Sequence, residues 1–272
     1  MPELPEVQTV VDYLKSILSG KTIKSVKSPN GYFNVFASGH LIEYQEFLVD
    51  KQIISLGRRG KYIIIVLNIG YLIVHLRMTG RIVLEQPKTK EIKYVSFQLI
   101  FSDGSKLYFR DTRKFGQVYI CKDLNWLEDR LGIEPLSKHF TSIWLYEQLQ
   151  QRRRIIKSIL LDQQFIAGLG NIYVDEALWQ AQIHPKEKSN KIGKKRCEKL
   201  CFAIQNILSH AIDNKGTTII DFSYGKNEKG NFINQLQVFG RENKPCPQCQ
   251  ASITKMFVVQ RGTHYCKKCQ KI

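Results

Sequence analysis

"YIIIVLNIGYLIVHLRM" (residues 62–78) holds two apolar runs rich in Ile, Val and Leu, separated by Asn68-Ile69-Gly70. Runs of this length, rich in β-branched residues and cut by a glycine turn, read as paired strands. The texture continues on both sides. "YVSFQLIF" (94–101) and "SKLYFRD" (105–111) follow, divided by an Asp-Gly turn, so that β-structure is predicted from Lys51 to Cys121. This is the pattern of a β-sandwich or barrel. Ahead of it Val7, Val10, Val11, Leu14, Ile17 and Leu18 recur at helical spacing until Ser19-Gly20 closes the run. Pro5 suits a first-turn position, which predicts a helix starting at about residue 4 or 5, attached to the β-region.

The second half changes period. From Leu124 to Lys215 the pattern is helical: "TSIWLYEQLQQRRRIIKSILLDQ" (141–163) opens on capping residues and sets Trp144, Leu145, Leu149, Ile156 and Leu160 on one face. "KKRCEKLCFAIQNILSHAIDNKG" (194–216) repeats the period and ends on Gly216, a suitable C-cap. Its charged run, Lys194 to Lys199, reads as a solvated face. Between the two helices "AGLGNIYVDEALW" (167–179) allows a tight turn, after which Asn171 is expected to cap a helix. Free N–H groups there would suit a phosphate, and the nearby Arg152, Arg153, Arg154 and Lys157 would make a backbone clamp. A plain αα-turn explains the glycines equally well. Residues 221–235, rich in Gly, Asn and Ser, read as a mobile loop, and no internal repeat is present.

The chain has 272 residues, enough for one large domain or two to three small ones, and 43% hydrophobic content supports a real core. Lys and Arg number 41 against 24 acids, a formal charge of +17. Such a surplus points to a polyanionic partner, nucleic acid first, although an inert basic surface would share it. No apolar run reaches the roughly 18 residues of a membrane span. The acidic N-terminus does not have the basic and apolar regions of a signal peptide, so an intracellular protein is expected. There, seven cysteines are not a disulfide framework. Cys121, Cys197 and Cys201 stand among apolar residues and read as core thiols.

The other four form C-x2-C-x16-C-x2-C at Cys246, Cys249, Cys266 and Cys269. Each knuckle aims two thiolates at one centre, and a hairpin between them would close a tetrahedral shell around one Zn²⁺. Four thiolates leave no position for water, so the metal is structural, in a module too small to fold without it. Arg261 falls at or near the turn of that hairpin, where it would meet a nucleic-acid backbone or simply stay solvated.

The opening "MPELPE" (1–6) sets Pro2 directly behind the initiator methionine. Trimming of Met1 would free a secondary amine at the positive end of the first helix. The dipole should hold it below the roughly 7.7–8.0 of an ordinary terminus, leaving a neutral nucleophile. Against C1′ of a sugar it would form an iminium, an electron sink that favours elimination further along the sugar. Glu3 and Glu6 would stand close enough to move protons. The competing reading is that Pro5 and the acids merely start a helix.

In order along the chain, "PELPEV" (2–7), "RRGKY" (58–62), "HLRMTG" (75–80), "DTRKFG" (111–116), "GLGNIYVDEAL" (168–178), "GTTIIDF" (216–222) and "QRGTHYCKKCQ" (260–270) resemble the bacterial formamidopyrimidine-DNA glycosylase family. The resemblance spans essentially the whole chain. It implies an α+β multidomain protein: a catalytic β-sandwich domain with its N-terminal helix over 1–123, a helix-two-turns-helix domain with a lesion loop over 124–235, and a four-Cys zinc-finger hairpin over 236–272. It implies excision of 8-oxoguanine and formamidopyrimidines through a Schiff base on Pro2, followed by β,δ-elimination. Glu3 would be the general acid/base. Lys61 would contact the lesion phosphate and assist β-elimination, and Arg261 would grip the same backbone and assist δ-elimination. Met78, Arg113 and Phe115 would fill the gap left by the flipped nucleotide, and Arg153, Lys157 and Asn171 would bind phosphate. The implied partner is double-stranded DNA carrying oxidised bases or abasic sites, met by a monomer in the cytoplasm, at the nucleoid, with no membrane.

Three positions depart from the family pattern. "KTKEIKYVSF" (88–97) has no DNA-contacting His, Phe239 stands where many relatives have Tyr, and Gln8 replaces a frequent Glu, a change expected to be without consequence. Two other readings compete. An endonuclease VIII-like glycosylase for oxidised pyrimidines would share the fold and nucleophile but place its void-filling residues differently. A silent DNA-binding zinc-ribbon protein would keep charge and finger but give Pro2, Glu3 and Lys61 no reason to occur together.

Overall fold

The structure is a computed structural model that describes residues 1–84, 93–218 and 228–272. It divides into two compact units, Met1–Leu127 with Lys215–Asn231, and Glu128–Asn214 with Phe232–Ile272.

In the first unit α1 (Leu4–Leu18) leads into β1 (Ile23–Lys27), α2 (Leu41–Leu48), β2 (Ile53–Arg59), β3 (Tyr62–Leu67), β4 (Tyr71–His75), β5 (Arg81–Leu84), β6 (Val95–Phe101), β7 (Lys106–Arg110) and β8 (Gln117–Cys121). The strands form two four-stranded sheets, ordered β1-β6-β7-β5 and β2-β3-β4-β8, with every named pair antiparallel. The sandwich alternative therefore holds over the barrel. A single core joins the sheets, with Phe97, Leu99, Phe101 and Phe109 from one and Ile63, Ile65, Leu72 and Val74 from the other. Val7, Val10, Val11, Leu14 and Leu18 of α1 belong to the same core, and α1 packs on β2 and β3. Ile63, Ile64 and Ile65 are all buried, which explains why the sequence of β3 does not alternate. The helical start at Leu4 agrees with the expected boundary, whereas α2, only eight residues long, carried no clear periodic signal.

The second unit holds α4 (Ser142–Gln150), α5 (Ile156–Leu160), α6 (Asn171–Gln180) and α7 (Lys194–Asp213), then β9 (Ile253–Val258) and β10 (Arg261–Cys266) in one hairpin; the short α3 (Asn125–Glu128) straddles the boundary between the units in sequence. Thr141 caps α4 through Oγ1, which accepts the Trp144 N–H at 3.1 Å. The sequence suggested one helix through 141–163, but the chain breaks after Gln150. There Ile156 N–H bonds the Glu187 carbonyl and Ser189 N–H bonds the Arg154 carbonyl. Pairing with the 187–189 segment has overridden local periodicity. Of the stretch expected as a mobile loop, 221–227 lies outside the described residues, while Phe232–Gln235 forms a 3₁₀ turn.

Candidate functional site

At the start of α1 the backbone is held by a carboxylate that the sequence suggested for proton transfer. The Glu3 N–H donates to Glu6 Oε2 at 2.7 Å, and the Thr217 N–H donates to Glu6 Oε1 at 2.8 Å. Glu6 is buried and both oxygens are engaged with main chain, so it is a strut rather than a proton carrier. It fixes the residues that follow Pro2 and ties them to the 216–217 segment. Glu3 itself is 3% exposed, in the extended conformation that precedes the first turn. Met1 is 48% exposed, within reach of solvent. Gln8 also has a use that the sequence did not show: its Oε1 accepts from Arg58 Nε at 2.9 Å, linking α1 to β2.

Lys61 follows the β2–β3 turn at Gly60 and is buried at the head of β3. Its neighbour Tyr62 pairs with His75 across the β3–β4 ladder, ring against ring at 4.5 Å. Burial pushes the His75 imidazole down to about 3, with the positive charges of Arg77 and Lys61 adding to the shift. His75 is therefore neutral at physiological pH. Its Nδ1 accepts the Arg77 N–H at 3.0 Å, which leaves the remaining proton on Nε2. In the sequence His75 stood inside an apolar run and opened the "HLRMTG" motif, with no role of its own assigned. Its stability contribution has a definite sign. Below the ordinary pKa of about 6.5 the unfolded chain takes up a proton that native His75 refuses until about 3, so stability is lost as pH falls through that window. His75→Gln should remove up to about 1.4 kcal/mol per pH unit of that acid slope. Thermal unfolding midpoints of both proteins from pH 4 to 7 provide the measurement, and identical acid slopes would refute a buried neutral His75.

Two loops of the same unit carry Met78 on one and Arg113 and Phe115 on the other, and Asp111 joins the loops through Thr79 and the 113–116 backbone. One oxygen of its buried carboxylate accepts from Thr79 Oγ1 and from the Arg113 N–H at 3.1 Å; the other accepts the Gly116 N–H at 2.6 Å. Gly80 and Gly116 press on the Phe109 ring so closely that a Cβ would stand 2.6 and 2.3 Å from it, which accounts for the glycines in "MTG" and "KFG". Arg77 and Lys114, the residues directly ahead of Met78 and Phe115, both have positive φ, at 53° and 58°, a costly conformation for non-glycine residues. The outcome is an exposed apolar pair, Met78 at 39% and Phe115 at 53%, with the Arg113 guanidinium 5.0 Å from the Phe115 ring centroid.

In the second unit the residues expected to clamp phosphate divide into two kinds. Arg153 is exposed between its neighbours Arg152 and Arg154, which bond Gln148 and Asp162. Lys157 is not available to a phosphate, because it is 0% exposed and ion-paired with Asp175 at 2.6 Å. Its ammonium also donates to Thr263 Oγ1 at 2.8 Å and reaches the Gly262 carbonyl at 3.5 Å. Asn171 is the first residue of α6 rather than its cap, which is Gly170. Its Nδ2 donates to the Gly262 carbonyl at 2.8 Å. Arg261 itself is exposed, directly after a turn in which Val259 and Gln260 have φ of 44° and 60°. For a β-branched residue that is a genuine strain, of order 1–3 kcal/mol for such a position. Glu176, also unnoticed in the sequence, is buried and accepts the N–H groups of Gln237, Val238 and Phe239 at 2.9, 2.9 and 2.8 Å. It fixes the segment in which Phe239 meets the His264 ring at 5.1 Å.

The four hairpin cysteines converge as expected. Sγ of Cys246 lies 3.9 Å from that of Cys269, Sγ of Cys249 lies 3.4 Å from that of Cys266, and all four sulfurs fall within 4.8 Å of one another. A tetrahedron with Zn–S of about 2.3 Å has sulfur–sulfur edges of about 3.8 Å, so the set fits one zinc ion. Burial raises the Cys246, Cys266 and Cys269 thiols, but at Cys246 polar neighbours, the Cys249 and Gln248 N–H groups among them, outweigh it and bring that thiol to about 6. That predisposes a thiolate ligand. Of the remaining cysteines, Cys197 and Cys201 are buried as expected, and burial pushes both thiols up to about 11. Cys121 is only half-buried, at the end of β8.

Comparison with known proteins covers both units. The formamidopyrimidine-DNA glycosylase N-terminal domain model matches residues 1–118, the H2TH domain model of the same enzyme matches 131–223, and the zinc finger found in FPG and IleRS matches 243–272. The chain is 42% identical over 279 residues to a formamidopyrimidine-DNA glycosylase of Pelotomaculum thermopropionicum, covering 100% of each. A crystal structure of wild-type Lactococcus lactis Fpg with DNA containing N7-benzyl-Fapy-dG matches with a TM-score of 0.92 at 34% identity, over 100% of both chains. A second Lactococcus lactis Fpg complex, with abasic-site DNA, also gives 0.92 at 34% identity and covers 99% of this chain and 100% of that one.

Proposed function

The chain belongs to the formamidopyrimidine-DNA glycosylase family, and from that premise we propose that it excises oxidised purines from double-stranded DNA and cleaves the resulting abasic site. The observation that carries this reading is the N-terminus: Pro2 stands at the positive end of α1, directly ahead of the buried Glu3, whose N–H is held by Glu6. With Met1 removed, the Pro2 nitrogen attacks C1′ of the damaged nucleotide. The C1′–base bond breaks, its electron pair leaves with the base, and the base takes up a proton. Glu3 gives a proton to the ring oxygen as the C1′–O bond opens, leaving a charged iminium. Loss of a C2′ proton then expels the 3′ phosphate, and loss of a C4′ proton expels the 5′ phosphate. Water hydrolyses the iminium, releasing an unsaturated aldehyde and restoring the amine.

Lys61 is assigned to the lesion phosphate in the first elimination and Arg261 to the same backbone in the second. Met78, Arg113 and Phe115 take the void of the extruded nucleotide. An enzyme that reaches C1′ must empty the stack, and exposed apolar side chains on strained loops serve that need better than they serve a free surface. This set favours the purine enzyme over the pyrimidine one. Arg153 and Asn171 contribute phosphate contacts. The zinc supplies no chemistry: held by Cys246, Cys249, Cys266 and Cys269, it shapes the hairpin. The chain acts as a monomer, at the nucleoid.

Borohydride trapping on duplexes with 8-oxoguanine or thymine glycol opposite their normal partners tests the reading. A covalent adduct and free 8-oxoguanine are expected from the first and little product from the second. The reverse preference would assign the chain to oxidised pyrimidines, and no adduct from either would leave only a binding protein. Glu3→Gln is isosteric and removes proton transfer alone, so release of 8-oxoguanine should fall by about 10²–10⁴-fold with lesion affinity changed only a few-fold. A parallel loss of affinity would make Glu3 structural.

A further inference from the structure

We propose that Asp175 is the positioning residue that sets where Arg261 stands, acting through Lys157 and the first residues of β10. This rests on the reading of Arg261 as the group that assists the second elimination. Asp175 lies on α6 with its side chain fully buried, one oxygen on the Lys157 ammonium at 2.6 Å, the other accepting the His264 N–H at 2.8 Å. Lys157 passes the constraint on to Thr263 Oγ1 at 2.8 Å, and that hydroxyl donates to the Arg261 carbonyl at 2.9 Å. Asn171 holds the Gly262 carbonyl from the start of α6 at 2.8 Å. Each of the four residues 261–264 therefore has a polar group fixed directly or indirectly from the two helices, and the fixing begins at Arg261 itself.

The turn ahead explains why such a clamp is needed. Val259 and Gln260 both sit in the left-handed region, a two-residue turn built without the Asn or Gly that relieves it. Strained backbone persists only where the surroundings over-determine it. Pairing with β9 fixes the hairpin's register, and the cysteine cluster fixes its base, but neither fixes the angle at which the strand leaves the turn. A buried ion pair adds little stability over apolar side chains of similar size. What it adds is direction: a short, charge-assisted bond network accepts one geometry. The Asp175–Lys157 pair thus specifies the exposed position of Arg261, where a small displacement would separate its guanidinium from the backbone it is to grip.

The experiment uses the zinc-loaded full chain on a duplex with one abasic site, reading three quantities: zinc content, borohydride trapping, and the ratio of δ- to β-elimination product. Asp175→Asn should keep its zinc and trap within about threefold of wild type, while the δ:β ratio falls about tenfold or more, the scale on which small misplacements act. Arg261→Ala should lower the same ratio, and the double substitution should lower it no further, since both remove one interaction. Thr263→Val is isosteric and suits a strand. It cuts one strut without unpairing the buried charges, so its ratio should fall severalfold, and it decides the matter if Asp175→Asn does not fold. Wild-type ratios in these zinc-loaded variants, or strictly additive losses with Arg261→Ala, would overturn the proposal. If Arg261→Ala alone kept the wild-type ratio, the reading of Arg261 would fall, and the role of Asp175 with it.

Discussion

Protein that keeps Met1 should form no borohydride adduct with an abasic duplex, and its cleavage should be at least about a thousandfold slower, as for loss of a catalytic nucleophile. With Met1 in place, the Pro2 nitrogen is a tertiary amide: its lone pair is delocalised into the carbonyl, and it can neither take a proton nor attack carbon. Local folding does not depend on the trimming. Glu6 holds the backbone from the Glu3 N–H onward and the helix begins at Leu4, while Met1 lies half in solvent. Duplex affinity and thermal stability should therefore stay near those of the processed form, which separates a chemical defect from a structural one. The test compares preparations of known N-terminus by mass spectrometry, one processed and one retaining Met1 through a bulky residue inserted after it. Normal turnover in uniformly unprocessed protein would remove Pro2 from the mechanism and, with it, the reason for this opening.

The β-sandwich and its first helix were legible because their patterns are local. Apolar runs cut by Gly turns gave the strands, and one helical period with Pro5 gave α1. The cysteine cluster was legible for the same reason, since spacing alone brings four thiolates together. The groups that organise the site were not. Glu6, Asp111, Asp175 and Glu176 are acidic residues that ordinary patterning would place on a surface, yet each is buried with oxygens on backbone N–H groups. Their partners are up to 211 residues away in sequence, as with Glu6 and Thr217, so no periodicity reveals them. Lys157 shows the same limit from the cationic side. A basic cluster suggested four equivalent phosphate ligands, but the chain turns at 151–155 and sends Lys157 inward to Asp175 while Arg153 stays outside. The motif residues were found as a group, and which ones face solvent was decided by tertiary pairing.

That division between exposed ligands and buried struts bears on the metal. Cys249→Ser should cost the protein its zinc and lower duplex affinity by roughly ten- to a hundredfold for each cationic side chain that no longer reaches a phosphate, since such charged hydrogen bonds are worth about 1.5–3 kcal/mol. The cysteine cluster lies at the centre of the hairpin's core, where the ties from α5 and α6 to residues 262–264 do not reach. That core is Val238, Cys246, Ile253 and Cys266, two of which are metal ligands. With one thiolate removed, the remaining three enclose an open site, and the free energy that metal binding gave to folding is largely forfeited. The clamp from Lys157 and Asp175 grips β10 only where that strand is formed, so it cannot replace the metal. Arg261 and the neighbouring lysines then contribute less to DNA binding, and the slope of log affinity against log salt should shrink by about 0.9 for each phosphate left unneutralised. The first unit, with its own core and its own N-terminus, should keep its thermal transition, and Pro2 should still condense with a small aldehyde. Titrations of duplex against salt, with zinc measured in the same samples, give the decisive comparison. A variant that has lost its zinc yet keeps the wild-type affinity and slope would show that the hairpin takes no part in holding DNA.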